Sequence, residues 1–152
     1  MAWFPGIFKA ALKFSGIDGL QFLGVAKFTF DAGVVANRTI AAHGTGVKIP
    51  SNSVVVGGFF DVNTLFTSNG ANAGTIAIMV EGAGDIQAAA AVSGAPYSSI
   101  GRKAIVPKAN TPESTSIKVT TEKEITCTVA VQTLLTGKLT GYIYYVPGVA
   151  SA

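Results

Sequence analysis

Few residues in this chain are of types that do chemistry, and their spacing decides how far each can be taken. His43 is the only histidine. Nucleophilic catalysis around it would need a Ser or Cys nucleophile and an orienting acid brought in by the fold. The strained elbow that presents such a serine, Gly-x-Ser-x-Gly, is absent, so a histidine in the stretch His43-Gly-Thr-Gly46 reads as a solvated residue of a turn. Cys127, the single cysteine, excludes an internal disulfide framework and a cysteine-built metal cluster. It falls on the apolar face of an alternating segment, where it serves as a small buried hydrophobe and not as a thiolate.

Two carboxylates, Glu81 and Asp85, flank the flexible Gly82-Ala-Gly84. A calcium site asks for six to eight oxygens, more than this pair supplies, so no metal is expected. They read instead as a strand-end acid and a helix N-cap. Gly82-x-Gly84 lacks the third glycine and the parallel βαβ setting of a dinucleotide fingerprint, and no cofactor is expected. Asn37-Arg-Thr39 matches the glycosylation acceptor pattern, which has no meaning without a secretory signal. Tyr142 and Tyr144 share the strand face opposite Ile143 and Tyr145. Such rings form a sugar-stacking strip, part of a second subunit interface, or packing beneath a loop. Nothing in this inventory amounts to an enzyme.

The elements that position these residues are mostly strands. The longest β-favouring run follows the turn Lys48-Ile-Pro-Ser-Asn52 and reads Ser53-Val-Val-Val-Gly-Gly-Phe-Phe-Asp-Val62. Its alternate faces are Val54, Val56, Gly58, Phe60, Val62 and Val55, Gly57, Phe59, Asp61, both mainly apolar. This predicts a central strand covered on both sides, bent or bulged at Gly57-Gly58. Around it, period-two patterns predict strands at 25–31, with Ala26, Phe28 and Phe30 inward, and at 38–42, 75–81 and 103–106. A short surface helix is expected over 86–92, capped by Asp85. The last third reads as a β-meander of 115–121, 124–131 and 138–146, with inner faces Ile117/Val119, Ile125/Cys127/Val129/Val131 and Leu139/Ile143/Tyr145. Seven or eight short strands at such spacing point to an all-β fold: an antiparallel β-sandwich, jelly-roll-like and not immunoglobulin-like, since the Cys…Trp…Cys spacing is missing.

Residues 1–24 differ from the rest. If their middle is helical, Phe4, Ile7, Phe8, Ala11 and Leu12 share one face and Lys9 and Lys13 the other. A signal peptide is the competing reading, but the lysines fall inside the apolar region. The segment is therefore expected to be retained as an attachment arm, with Trp3, Phe4, Ile7, Phe8, Leu12 and Phe14 as partner-binding residues, ahead of a sandwich domain over 25–152.

Composition supports a partner. Charged residues make up 12% of the chain and mean hydropathy is positive, which is unusual for a soluble monomer and predicts a homo-oligomer, a trimer above all, that hides apolar surface. No stretch has eighteen uninterrupted apolar residues, so no membrane partner is expected. The net charge of +3 is spread over single Lys and Arg residues and the pair Arg102-Lys103, which argues against nucleic acid.

Three stretches carry a resemblance: Val47-Lys-Ile-Pro-Ser-Asn-Ser-Val-Val-Val-Gly-Gly58, the run into Glu81 followed by Asp85-Ile-Gln-Ala-Ala-Ala-Ala91, and Thr121-Glu-Lys-Glu-Ile-Thr126 with Leu135-Thr-Gly-Lys-Leu-Thr-Gly-Tyr-Ile-Tyr-Tyr-Val146. Over roughly residues 25–146 the chain resembles small virion structural proteins of tailed bacteriophages, of the head decoration or cement type. The resemblance implies a β-sandwich on the capsid exterior, made in the host cytoplasm, trimeric, and bridging subunits of the major capsid protein. A carbohydrate- or receptor-binding module of a phage tail or fibre is the alternative.

Overall fold

The computed structural model describes residues 23–108 and 116–148. The expected arm residues Trp3, Phe4, Ile7, Phe8, Leu12 and Phe14 lie outside these. Nine strands occur among the described residues: β1 Gly24–Asp31, β2 Ala41–Ile49, β3 Ser53–Ser68, β4 Thr75–Met79, β5 Gln87–Ala91, β6 Gly101–Ile105, β7 Ile117–Val119, β8 Lys123–Ala130 and β9 Leu134–Val146. They form two antiparallel sheets, one ordered β1-β9-β3-β6 with β7 also on β3, the other β2-β8-β4-β5.

The pairings are nested: β1 with β9, β2 with β8, β3 with β6, β4 with β5. A single ribbon of four antiparallel pairs, rolled so that alternate pairs fall in opposite sheets, produces this order, which is that of a jelly roll. The expected β-sandwich is the observed fold.

The core lies between the sheets and is made by the period-two rule. Ala26, Phe28 and Phe30 of β1, Ile76 and Ile78 of β4, Ile117 and Val119 of β7, Ile125, Cys127 and Val129 of β8, and Leu139 and Ile143 of β9 are all buried. Aromatic rings pack within this core: Phe66 stacks on Phe30 at 6.1 Å and meets Tyr97 edge-on at 5.7 Å. The Tyr97 hydroxyl donates to the Ile76 carbonyl at 3.1 Å, satisfying the one polar atom of a fully buried ring.

Several local expectations are corrected. The predicted helix over 86–92 is strand β5, hydrogen-bonded along β4. Its alanines have high helix propensity, but the segment pairs with β4, with Ile86 and Val92 buried at its two ends. Asp85 is no N-cap. Its carboxylate accepts from the N–H groups of Val80, Glu81 and Gly82, which precede it, at 2.9, 2.9 and 2.8 Å, and so ties off the turn between β4 and β5.

The stretch around His43 is not a turn but part of β2, with a register break between Gly44 and Lys48. The strand expected at 38–42 begins only at Ala41, after a 3-10 turn at Val35–Arg38. The last third is not a meander, because β7 and β9 belong to the first sheet and β8, between them, to the second. Val131 is 64% exposed and has φ +69 in the turn leaving β8, so it is not an inner-face residue.

Strand β3 is interior to its sheet, as expected of the central run, yet its faces are unequal. The register on β9 shifts between Val55 and Gly57, which makes Val56 the extra residue of a bulge. Parity changes there, so Val55, Phe60 and Val62 are buried together while Val56 is exposed and Phe59 half-buried on the other side. Gly58 holds φ +148, and a Cβ there would run into the Tyr142 carbonyl.

Candidate partner-binding face

Because the even positions of β1 point into the core, Val25, Lys27 and Thr29 point away from it, and cross-strand register carries this through the sheet. Lys27 is opposite Tyr142, Tyr142 opposite Phe59, and Phe59 opposite Ala104. One row further, Thr29, Thr140, Asp61 and Arg102 are aligned. On the other side, Val25 and Gly57 both face Tyr144, and Val106 follows β6 at the same level. This outer face of the first sheet thus has a charged end and an apolar end.

At the charged end, Arg102 grips Asp61 through two hydrogen bonds of 3.0 Å while its guanidinium lies 4.1 Å from the centre of the Phe59 ring. The bidentate hydrogen bond from Arg102 holds the Asp61 carboxyl below its ordinary value and raises the guanidinium in turn. Thr140 donates to Asn63 at 3.0 Å, and Lys138 pairs with Asp31 at 3.1 Å.

In the middle, Phe59 stacks on Tyr142 at 4.9 Å and meets Tyr144 edge-on at 6.2 Å. The Lys27 ammonium sits 5.8 Å above the Tyr142 ring, a cation–π contact. At the apolar end Leu23, Val25, Val56 and Val106 are 54%, 54%, 45% and 60% exposed. Single exposed apolar residues need no explanation, whereas a contiguous group beside three aromatic rings makes this face a candidate interaction surface.

The predicted residues Tyr142 and Tyr144 are therefore brought together, half-buried, on one face. Phe59, Arg102, Lys27, Val56 and Val106 were not anticipated. The outward parity of β1 and β6 was a usable signal for Lys27 and Arg102. The bulge that turns Phe59 to the same side carries only the weak mark of Gly57-Gly58.

The remaining candidates are structural. His43 is half-buried opposite Cys127 in register, its ring 6.0 Å from that of Phe30. Its Nε2 lies 2.8 Å from the Thr39 carbonyl, which can only accept, so that nitrogen is the donor. The Cys127 thiol is fully buried, and burial pushes it up to about 12. Glu81 accepts from the Thr120 hydroxyl at 2.9 Å, and Asp85 is committed to backbone amides. Asn37 donates to the Asp31 carbonyl at 3.0 Å. Among the described residues no group of three or more His, Cys, Asp or Glu is placed to hold a metal ion, and no helix is long and apolar enough to cross a membrane.

No protein-family model matches the chain, and no curated protein matches it at a significant level. Solved structures do. A chain of the cyanophage Pam1 capsid is similar with a TM-score of 0.57 and 14% identity, over 84% of this chain and 86% of that one. A chain of the acid-stable capsid of Helicobacter pylori bacteriophage KHP30 is similar at 0.55 and 12%, over 82% and 86%. A chain of the capsid of Ralstonia phage GP4 is similar at 0.52 and 16%, over 85% and 86%. At these identities the likeness is one of fold.

Proposed function

We propose that this chain is a structural protein of a bacteriophage virion, without catalytic activity, that decorates the capsid exterior and cements it by bridging subunits of the major capsid protein. The observation that carries this reading is the shared fold: three similar structures, each matched over most of both chains, all come from phage capsids. The low charge content and the apolar outer face of the first sheet support a protein that works inside an assembly. A cement protein binds the assembled shell in preference to free subunits and so shifts assembly by mass action.

Attachment in this reading rests on the arm. Trp3, Phe4, Ile7, Phe8, Leu12 and Phe14 each stabilise a contact by about 1.5–3 kcal/mol when fully buried, part of which association and ordering consume. Three or four such anchors make a hot spot, and several copies in an oligomer multiply it. Purified protein lacking residues 1–24 is expected to remain a folded sandwich but to stay in the supernatant when undecorated capsids are sedimented, while full-length protein pellets with them. Trp3→Ala with Phe8→Ala should weaken retention without altering the fold. Equal co-sedimentation of truncated and full-length protein would transfer the attachment to the sandwich.

A second reading, a carbohydrate- or receptor-binding module of a tail or fibre, is favoured by one observation. The rings of Phe59, Tyr142 and Tyr144 adjoin polar Asp61, Asn63, Thr140 and Arg102, the composition of a sugar-stacking strip. Saccharide binding that is lost in Tyr142→Ala, with no binding to capsids, would establish it instead.

A further inference from the structure

The two sheets turn different outer faces to solvent. Among the described residues, the strands of the second sheet carry no exposed large apolar side chain, and their outward positions include Gly44, Glu124, Thr126 and Thr128. The first sheet differs. Leu23, Val25, Val56 and Val106 are exposed at one end of its outer face, and with Tyr144 they make a row that crosses from β1 to β6 at one level.

The charges beside this row limit what can cover it. Arg102 is held by Asp61 and Lys138 by Asp31 within the same chain, while Lys27, which makes no ion pair among the described residues, lies over the Tyr142 ring. A strongly charged partner would find one unpaired charge here to recognise, too few for electrostatic complementarity. A second copy of this chain is better matched. It brings the same apolar row and the same internally paired charges, so apolar surface meets apolar surface and the paired charges remain at the rim, the usual anatomy of a subunit interface.

We propose that copies of this chain meet at this row: the outer face of the first sheet packs on its equivalent in a neighbouring copy, with Val25, Val56, Tyr144 and Val106 nearest the symmetry axis. Identical side chains beside an axis contact one another whether two or three copies close the assembly. Size agrees. The face is about 27 Å long over the eight residues of β1 and about 19 Å wide over four strands. That footprint is about 500 Å², and side-chain relief brings it to the order of the roughly 800 Å² that a stable interface takes from each partner. Self-association at this face is a property of the free protein and does not draw on the virion reading.

The test uses full-length protein without capsids. Light scattering is expected to give a multiple of the 15.5 kDa chain mass for the native sequence and for Val35→Lys, a control in the exposed 3-10 turn. Val56→Lys should fall to the single-chain mass, since its position is 45% exposed in one copy and a lysine there is excluded only by the second. An unchanged multiple in Val56→Lys would put self-association on another surface and overturn the proposal, as would a native protein of single-chain mass.

If Val56→Lys fails to fold, cross-linking decides. Val56→Cys, with the buried Cys127 left in place, is treated with a bis-maleimide of about 14 Å reach, the span of three strand spacings. Linked pairs of chains are expected at several-fold higher yield than with Val35→Cys under the same conditions, and equal yields would overturn the self-interface. Neither measurement contains a capsid, so failure of co-sedimentation would sink the shell attachment and leave this result standing.

Discussion

Cys127 and Gly58 show how little a residue type says without its surroundings. The cysteine is a nucleophile by type, yet complete burial raises its thiol to about 12, and at neutral pH the reactive thiolate is absent. Native protein is therefore expected to resist a thiol reagent such as dithionitrobenzoate and to react fully once unfolded, while His43→Ala should leave folding and assembly intact. Rapid native labelling, or loss of assembly in a folded histidine variant, would reopen a chemical role. Gly58 reads as a residue that weakens a strand, but the bulge requires it: φ is +148 and the Tyr142 carbonyl occupies the space of a Cβ. Gly58→Ala should cost about 1–3 kcal/mol, measured by chemical denaturation, and a neutral result would show that the bulge is not held at that position.

At the scale of elements, the segment from Glu81 to Val92 is where local preference and tertiary demand disagree. An alanine run after an aspartate has the marks of a helix start, but a segment this short cannot hold a helix without tertiary support. Here β4 supplies a ladder, and the carboxylate of Asp85 satisfies three amides at the head of the turn. Asp85→Ala leaves the buried Val80 N–H without a partner, a loss expected to lower stability by about 3 kcal/mol. If far-ultraviolet circular dichroism of that variant gained helix at the expense of strand, the extended form of β5 would depend on the aspartate alone.

At the scale of the molecule, the nested pairing buries one face of each sheet and leaves the outer face of the first with an apolar end. A chain with this surface and 12% charge should associate. Light scattering of the purified protein is expected to report a homo-oligomer, a trimer being the form proposed for the virion, and a strictly monomeric mass would contradict this. Acid should act through the surface pairs. Asp31 and Asp61 are both lowered, the first by the Gly33 N–H and then Lys138, the second by Arg102. A carboxylate with a lowered folded-state value contributes stability above its ordinary value of 3.8 that is lost as pH falls through the lowered one. The melting temperature should thus hold between about pH 7 and about pH 5 and drop below about pH 4. The drop should be smaller in Asp31→Asn, and because both pairs are solvent-exposed their share is modest.

What the sequence by itself determined is what depends on neighbours along the chain. The alternation of Ala26, Phe28 and Phe30, of Ile125, Cys127 and Val129, and of Leu139 and Ile143 names the strands and their buried faces, because a period of two is a property of the extended backbone. Strand number and spacing, together with a missing immunoglobulin pattern, sufficed for a jelly-roll-like sandwich. What only the tertiary structure decided depends on partners distant in sequence. That β7, β8 and β9 are divided between two sheets follows from which edges were free to pair with β3, β4 and β1, and no local pattern encodes that choice. The site was legible in part for the same reason. Tyr142 and Tyr144 declare their face by parity, but Phe59 joins them only because one extra residue at Val56 reverses the parity of β3, and Arg102 only because β6 is the strand that pairs beside it.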